Sequence, residues 1–289
     1  MRQSNPKNVT NILREHNLRI KKKFGQNFLI DDNVLDKIID TSEITKDDFV
    51  IEIGPGLGSL TERLISSANK VLAYEIDTDL IPVLQAAFKD ERFHLIEADI
   101  LKRDIDKDIA AIDPKIDAVT VVANLPYYIT TPILMKCLET SKKIKRVVVM
   151  MQYEVAKRIT ASTHTKDYNA LSIAVQYRAK THFAFKVPKN VFIPAPNVDS
   201  AIITLDFHDK YQGEVLSEAF FFSFIKAAFS QRRKTLVNNL YASLNIEKSD
   251  VLDVLEDLKI NAQARAETIS LEQFIKLSNH FYQTKFIEK

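Results

Sequence analysis

The chain has 289 residues, 46% of them hydrophobic and 27% charged, with 40 Lys and Arg against 38 Asp and Glu. This is enough chain for one large core and a small second domain, and the composition excludes a disordered or low-complexity protein. The near balance of charge names no partner, a single cysteine excludes an intrachain disulfide, and six scattered histidines offer no metal-ligand spacing. No stretch is long enough to cross a membrane and there is no signal-peptide core, so a cytoplasmic chain is expected.

The N-terminus is basic, with Arg2, Lys7, Arg14, Arg19, Lys21, Lys22 and Lys23 against Glu15. It runs straight into Gln26-Asn27, so it reads as an RNA-contacting or site-capping arm rather than a removable leader. A helix is expected over 31–40, capped by Asp31 or Asp32. Phe49-Val50-Ile51-Glu52-Ile53 then reads as a strand, Gly54-Pro55-Gly56-Leu57-Gly58 as a tight turn, and 59–67 as a helix. Glycines at such a junction let backbone approach a ligand at the helix N-terminus. A dinucleotide fingerprint wants Gly or Ala where this chain has Ser59, and the Gly-x-Gly-x-Gly spacing suits a cofactor without a pyrophosphate.

Val71-Leu72-Ala73-Tyr74 forms a second strand ending at Glu75, roughly twenty residues after the first glycine, where a ribose-binding acid belongs. That feature is shared by NAD and S-adenosylmethionine sites. A helix is expected over 79–88, and strand Phe93-His94-Leu95-Ile96-Glu97-Ala98 ends at Asp99. A carboxylate there accepts from an adenine amino group, which a nicotinamide site does not regularly require; S-adenosylmethionine is therefore the expected cofactor.

The apolar run Val119-Thr120-Val121-Val122-Ala123 reads as a buried parallel strand leading into Asn124-Leu125-Pro126-Tyr127. Strand carboxyl ends are where open α/β sheets bind ligands. An adenine amino group is a poor nucleophile because its lone pair is delocalised into the ring. The Asn124 side-chain oxygen and the Leu125 carbonyl can accept from it and favour a pyramidal, attacking nitrogen. Pro126 stiffens the turn, and Tyr127 offers a stacking face.

Helices are expected over 131–140, where Cys137 is a buried structural thiol, and over 152–160. The strand Arg146-Val147-Val148-Val149-Met150-Met151 lies between them, and two further strands are expected over 171–177 and 201–207, joined through Pro188, Pro194 and Pro196. Alternation of strands and helices from 49 to about 152 predicts a doubly wound parallel sheet. After about 209 only helices are expected, over 215–229, 235–244 and 271–281. Phe220, Phe221, Phe222, Phe224 and Phe229 are read as core packing between two domains, 1–209 and 210–289. Basic clusters at Lys142, Lys143, Lys145, Arg146, Lys157 and Arg158, at Lys180, Lys186 and Lys189, and at Arg232, Arg233 and Lys234 suggest a phosphate-binding surface.

Seven ordered blocks resemble the KsgA (RsmA) family of small-subunit ribosomal RNA adenine N6,N6-dimethyltransferases over nearly the whole chain. They are Lys23-Phe24-Gly25-Gln26-Asn27-Phe28-Leu29, Glu52-Ile53-Gly54-Pro55-Gly56-Leu57-Gly58, Glu75-Ile76-Asp77, Ala98-Asp99, Asn124-Leu125-Pro126-Tyr127-Tyr128-Ile129-Thr130-Thr131-Pro132, the stretch 192–201, and Gln231-Arg232-Arg233-Lys234-Thr235-Leu236. Tyr128 stands where relatives often carry a smaller or polar residue.

The resemblance implies a Rossmann-like class I S-adenosylmethionine-dependent methyltransferase of α/β class with a small C-terminal all-helical domain. Cofactor contacts are implied for Gln26, Asn27, Leu29, Gly54, Gly56, Glu75, Ile76, Asp99, Ile100 and Asn124. Asn124, Leu125, Pro126 and Tyr127 are implied to carry catalysis, Lys22, Lys23, Arg232, Arg233 and Lys234 are expected to bind RNA, and no metal is expected. The implied substrate is a pair of adjacent adenosines in the 3′-terminal hairpin of 16S rRNA, in the 30S subunit or its precursor. A monomer is expected, with S-adenosylhomocysteine as product. An Erm-type 23S rRNA adenine N6-methyltransferase and an assembly factor acting mainly by binding are the alternatives, with a DNA adenine methyltransferase third.

Overall fold

The computed structural model describes residues 6–21 and 24–286. In chain order the elements are α1 (Pro6–Glu15), β1 (Phe28–Leu29), α2 (Asp32–Ser42), β2 (Phe49–Ile53), α3 (Ser59–Ser67), β3 (Lys70–Glu75), α4 (Ile81–Ala87), β4 (Phe93–Glu97) and α5 (Ile105–Ile112). There follow β5 (Val119–Asn124), α6 (Thr130–Thr140), β6 (Ile144–Gln152), α7 (Tyr153–Ile159), α8 (Ala170–Gln176), β7 (Ala179–Val187), β8 (Phe192–Ile193) and β9 (Ser200–Phe207). The chain closes with α9 (Glu218–Ala228), α10 (Leu236–Leu244), α11 (Lys248–Asp257) and α12 (Leu271–Phe286).

Two compact units result: the chain up to Ala156 together with Lys180–Phe207, and Lys157–Ala179 together with the chain from His208. The expected single break after 209 is thus replaced by an exchange, in which 157–179 joins the helical unit.

The first unit is built on a seven-stranded sheet of order β4-β3-β2-β5-β6-β9-β7. Strands β4 to β6 run parallel and β9 returns antiparallel to β6. All five residues of β2 are buried, the pattern of a parallel strand covered on both faces. The order reverses at β2, so the loops after β2 and β5 leave neighbouring strands at the topological switch point. A second, two-stranded sheet pairs β1 with β8, placing Phe28 opposite Ile193 and Leu29 opposite Phe192. Asp31 caps α2 by accepting from the Val34 N–H at 3.0 Å, and Glu43 ends that helix in the left-handed region at φ 56°.

Residues expected to form a strand over 171–177 are helical, and the sheet takes Ala179–Val187 instead. Alternating Leu171, Ile173 and Val175 imitate a strand, but Asn169 and Ser172 form a capping box that starts a helix. The Leu171 N–H donates to Asn169 Oδ1 at 2.8 Å, and the Asn169 N–H donates to Ser172 Oγ at 3.0 Å. Helices α1, α5 and α11 were not expected; α5 follows an Asp104 cap that accepts from the Lys107 N–H at 3.2 Å.

The helical unit has a core of its own, centred on fully buried Phe221, Phe224 and Phe274. Phe224 stacks on Phe281 at 5.9 Å between centroids, Phe221 lies 5.2 Å from Tyr177, and Phe229 lies 5.8 Å from Phe274. Each fully buried ring contributes roughly 1.5–3 kcal/mol. The phenylalanine cluster expected to fill a seam between domains is therefore the interior of this unit.

Candidate active site

The turn after β2 is shaped by glycines that no other residue replaces without strain. Gly54, Gly56 and Gly58 have φ of 72°, 61° and 87°. A Cβ on Gly58 would lie 2.4 Å from the Phe88 ring, so this glycine lets α3 pack close to α4. A Cβ on Gly56 would touch Phe28 at 3.3 Å, whereas one on Gly54 would meet nothing within 4 Å. The Gly54 position therefore opens into free space, the cleft described below.

Glu75, at the end of the neighbouring β3, is 5% exposed. Its Oε2 accepts from the Gly56 N–H at 3.2 Å and its Oε1 from the Asp77 N–H at 2.8 Å. Burial pushes its carboxyl above the usual range, and these N–H donors oppose that shift. Asp99, after β4, accepts from the Leu101 N–H at 3.0 Å and caps the turn Ile100–Lys102.

At the end of β5, the Asn124 Nδ2 donates to the Asn27 carbonyl at 3.3 Å. The Asn27 Nδ2 donates in turn to the Gly25 carbonyl at 2.9 Å. The Asn124 amide is thereby oriented by the protein, with Oδ1 as the end available to a substrate donor. The turn beyond it is braced: the Thr130 hydroxyl and the Ile129 N–H both donate to the Pro126 carbonyl, at 2.9 and 3.1 Å. The Tyr127 hydroxyl bonds Ser200 Oγ at 2.5 Å, and burial keeps the phenol above its ordinary pKa. Tyr128 is 56% exposed, with its ring against Gly25.

These residues line one cleft of about 1130 Å³, its open mouth included. Gln26, Asn27, Leu29, Gly54, Gly56, Glu75, Ile76, Asp99, Ile100, Asn124, Leu125, Pro126 and Tyr127 all contribute to it. Two further residues that the sequence did not single out belong to the site. Glu52 lies in the cleft wall at 1% exposure, accepting from the Thr61 hydroxyl at 2.6 Å, and burial pushes its carboxyl up to about 8. Asp77 is 2% exposed and joins Glu75 to the segment before Asn27. The Glu75-Ile76-Asp77 block held the only signal for Asp77; nothing in the spacing connects it with partners more than fifty residues earlier, as its separations of 51 and 56 residues show.

Arg232, Arg233 and Lys234, expected to bind RNA, are not among the residues that line this cleft. Lys22 and Lys23 lie outside the described residues. Arg232, Arg233 and Lys234 are exposed in the turn before α10 of the helical unit. There Arg232, Lys234, Arg158 and Lys166 line a second cleft, of about 730 Å³. Arg232 also lies 3.6 Å from Glu267. Other members of the basic clusters are occupied by carboxylates: Arg146 with Glu43 at 2.5 Å, Lys157 with Asp167 at 3.0 Å, and Lys186 with Asp199 at 2.7 Å.

Among the described residues there is no group of three or more His, Cys, Asp or Glu able to hold a metal ion, and no helix is long and apolar enough to cross a membrane. Cys137 is buried, and burial pushes its thiol up to about 12.

The model of the ribosomal RNA adenine dimethylase family matches residues 17–283. The chain belongs to this family. It is 46% identical over 281 residues to the Ribosomal RNA small subunit methyltransferase A of Lysinibacillus sphaericus, covering 96% of each chain. Its namesake in Lactococcus lactis is 48% identical over 278 residues, with 96% of this chain and 95% of that one covered. Among solved structures, a dimethyladenosine transferase from Plasmodium falciparum superposes with a TM-score of 0.72 at 27% identity, covering 89% of this chain and 98% of that one. The 23S rRNA methyltransferase ErmE gives 0.66 at 26% identity, covering 87% and 98%. The sheet unit is thus the Rossmann-like fold of rRNA adenine methyltransferases, and the enzyme is a methyltransferase of ribosomal RNA.

Proposed function

We propose that this dimethylase uses S-adenosylmethionine to methylate N6 of two adjacent adenosines in the 3′-terminal hairpin of 16S rRNA. It acts as a monomer on the cytoplasmic 30S subunit or its precursor. The observation that carries the reading is the Asn124 amide, fixed by the Asn27 carbonyl in the same cleft as the Gly54 turn and Glu75. The relatives at 46% and 48% identity, named for the small subunit, favour that RNA over the one in ErmE's name.

The cleft fits the donor. The space beside Gly54 admits a ligand against backbone, buried Glu75 suits ribose hydroxyls, and Asp99 suits the adenine amino group. Gln26, Asn27, Leu29, Gly56, Ile76 and Ile100 complete its walls. When bound, S-adenosylmethionine supplies an electrophilic methyl group.

The chain's residues prepare the nucleophile. Asn124 Oδ1 and the Leu125 carbonyl accept from the target amino group, drawing its lone pair out of conjugation and holding it at a fixed angle. Tyr127 stacks on a base extruded from its neighbours, with its hydroxyl held by Ser200. No general base is required, because the methylated nitrogen is acidic enough to lose its proton to water.

Incubation of 30S particles, 50S particles and naked RNAs with labelled donor, followed by mapping of dimethyladenosine, tests this reading. Label is expected in the small-subunit RNA at two neighbouring adenosines. Label confined to large-subunit RNA assigns the Erm-type activity instead, and tight subunit binding without label assigns an assembly factor.

A further inference from the structure

Asp77 is buried two residues beyond the ribose-facing Glu75, yet its side chain turns to the N-terminal part of the sheet unit. Oδ2 accepts from Gln26 Nε2 at 2.6 Å, and Oδ1 accepts from Lys21 Nζ at 2.5 Å. The Asp79 N–H adds a third bond, at 3.2 Å to Oδ1. Lys21 also pairs with Asp79 Oδ2 at 2.6 Å, and its backbone N–H donates to Gln26 Oε1 at 2.8 Å. Both ends of the Gln26 amide are therefore engaged within the protein. One residue further on, Asn27 presents the carbonyl that orients Asn124.

We propose that Asp77 is a positioning residue for methyl transfer, which through Lys21 and Gln26 fixes the Gly25–Asn27 wall of the cleft and so the orientation of the Asn124 amide. The proposal rests on the methyl-transfer reading above. Its physical basis is the cost of a buried carboxylate left unpartnered, which ties Asp77 firmly to its cation and its amide. Its own main-chain N–H still has the Glu75 carboxylate to donate to when the Asp77 side chain is changed, because that donor is no part of the side chain. Side-chain changes at Asp77 therefore leave the ribose acceptor's donors in place while releasing the wall that carries Asn27. A 1 Å displacement of a positioning group can cost about 100-fold in rate.

A partner swap tests it in the full-length chain. Gln26→Glu sets a carboxylate against Asp77 and is expected to lower the single-turnover rate at saturating donor and RNA by about tenfold or more. It is also expected to raise hydrogen exchange at the amides of residues 24–27. Combining Gln26→Glu with Asp77→Asn restores one amide facing one carboxylate, and recovers the rate to within about threefold, with exchange protection restored. Lys21→Gln is expected to give an intermediate loss. Melting temperatures of all variants separate positioning from stability: a purely structural role changes melting without changing the saturating rate, and that result overturns the proposal. A double variant no faster than Gln26→Glu alone overturns it too, as does unchanged exchange over 24–27 in that single variant. If the wild-type chain methylates no adenosine, the reading of the reaction fails, and the exchange measurements still decide whether Asp77 holds this wall.

Discussion

Asn124 and Asn27 stand 97 residues apart in sequence and meet through a single bond, from the Asn124 Nδ2 to the Asn27 carbonyl at 3.3 Å. That bond decides which end of the Asn124 amide a substrate encounters. Removing the side chain with Asn124→Ala should therefore act on the reacting geometry. The single-turnover rate is expected to fall about 100- to 1,000-fold, the usual loss for one preorganised polar group at a developing charge. Calorimetric affinity for S-adenosylhomocysteine should fall far less, by under about tenfold, because Asn124 is one of many residues lining the donor's cleft, whereas its acceptor role toward the substrate amine is used in the reaction alone. Near-normal turnover would remove Asn124 from the mechanism.

Glu75 should behave in the opposite way, because a ribose acceptor is used equally in the ground state and the transition state. Glu75→Ala leaves the Gly56 and Asp77 N–H groups without their acceptor and lowers stability as well, so Glu75→Gln is the cleaner change. It keeps an acceptor oxygen for one of these N–H groups, turns an NH2 toward the other, and loses the charge. Donor affinity should weaken by about 10- to 100-fold, with the saturating rate within about threefold of wild type, given charge-assisted bonds of about 1.5–3 kcal/mol. An unchanged dissociation constant by calorimetry would contradict the ribose assignment.

The two glycines at the ends of the β2 turn should separate stability from binding. An added Cβ at Gly58 meets the Phe88 ring at 2.4 Å and sits at a φ of 87°, so Gly58→Ala combines overpacking with backbone strain. A loss of about 2–4 kcal/mol in denaturant unfolding is expected. Gly54→Ala has the strain of φ 72° but no clash, and its methyl enters the donor's cleft. It should cost about 1 kcal/mol in stability and weaken donor binding more than tenfold. Equal destabilisation by both, with donor affinity intact, would place the donor outside this cleft.

The cleft was legible in the sequence because its residues sit at strand ends. Glu75 and Asn124 end strands of buried, mainly apolar residues, and Asp99 follows a half-buried strand that ends in exposed Glu97, so strand patterns together with the spacing from the glycine turn pointed to one edge of a sheet. The capping box at Asn169 and Ser172 was illegible in that way, since two-residue alternation over Leu171, Ile173 and Val175 outweighed a local cap visible only as two polar side chains. The phenylalanines of α9 were correctly read as interior, but residue type does not say which interior, and they belong to the helical unit. Asp77 escaped for a different reason. Its partners Lys21 and Gln26 lie 56 and 51 residues earlier in the chain, a pairing that no local pattern announces, and Glu52 needed the burial of β2 to stand out as a raised carboxyl.

The basic turn of the helical unit makes an electrostatic prediction. If Arg232, Arg233 and Lys234 contact phosphates, replacing all three with Ala should lower affinity for 30S particles. The slope of log affinity against log salt should flatten by about 2–3, since each lost contact releases roughly one fewer condensed counterion. Filter binding across a salt series reads both quantities, and donor affinity is expected to stay as in wild type. A slope equal to wild type would make this turn an ordinary solvated face, held in part by the Arg232–Glu267 contact at 3.6 Å.

Glu52 predicts how stability depends on pH. In the unfolded chain this side chain ionises near 4.5, whereas burial holds its folded-state value at about 8, against the opposing hydrogen bond from Thr61. Between those values the folded state binds the extra proton, so this residue's effect on stability worsens as pH rises from about 4.5 to 8 and then levels off. The loss is on the order of 3 kcal/mol at neutral pH. Glu52→Gln keeps an acceptor for the Thr61 hydroxyl and cannot ionise. Urea unfolding at a series of pH values should show the variant matching wild type below about pH 4 and gaining steadily above pH 5, with the largest advantage near pH 8 to 9. A constant difference across that range, or a variant less stable than wild type at pH 8, would show that Glu52 is ionised in the folded protein and stabilised by a charge the Thr61 contact does not supply.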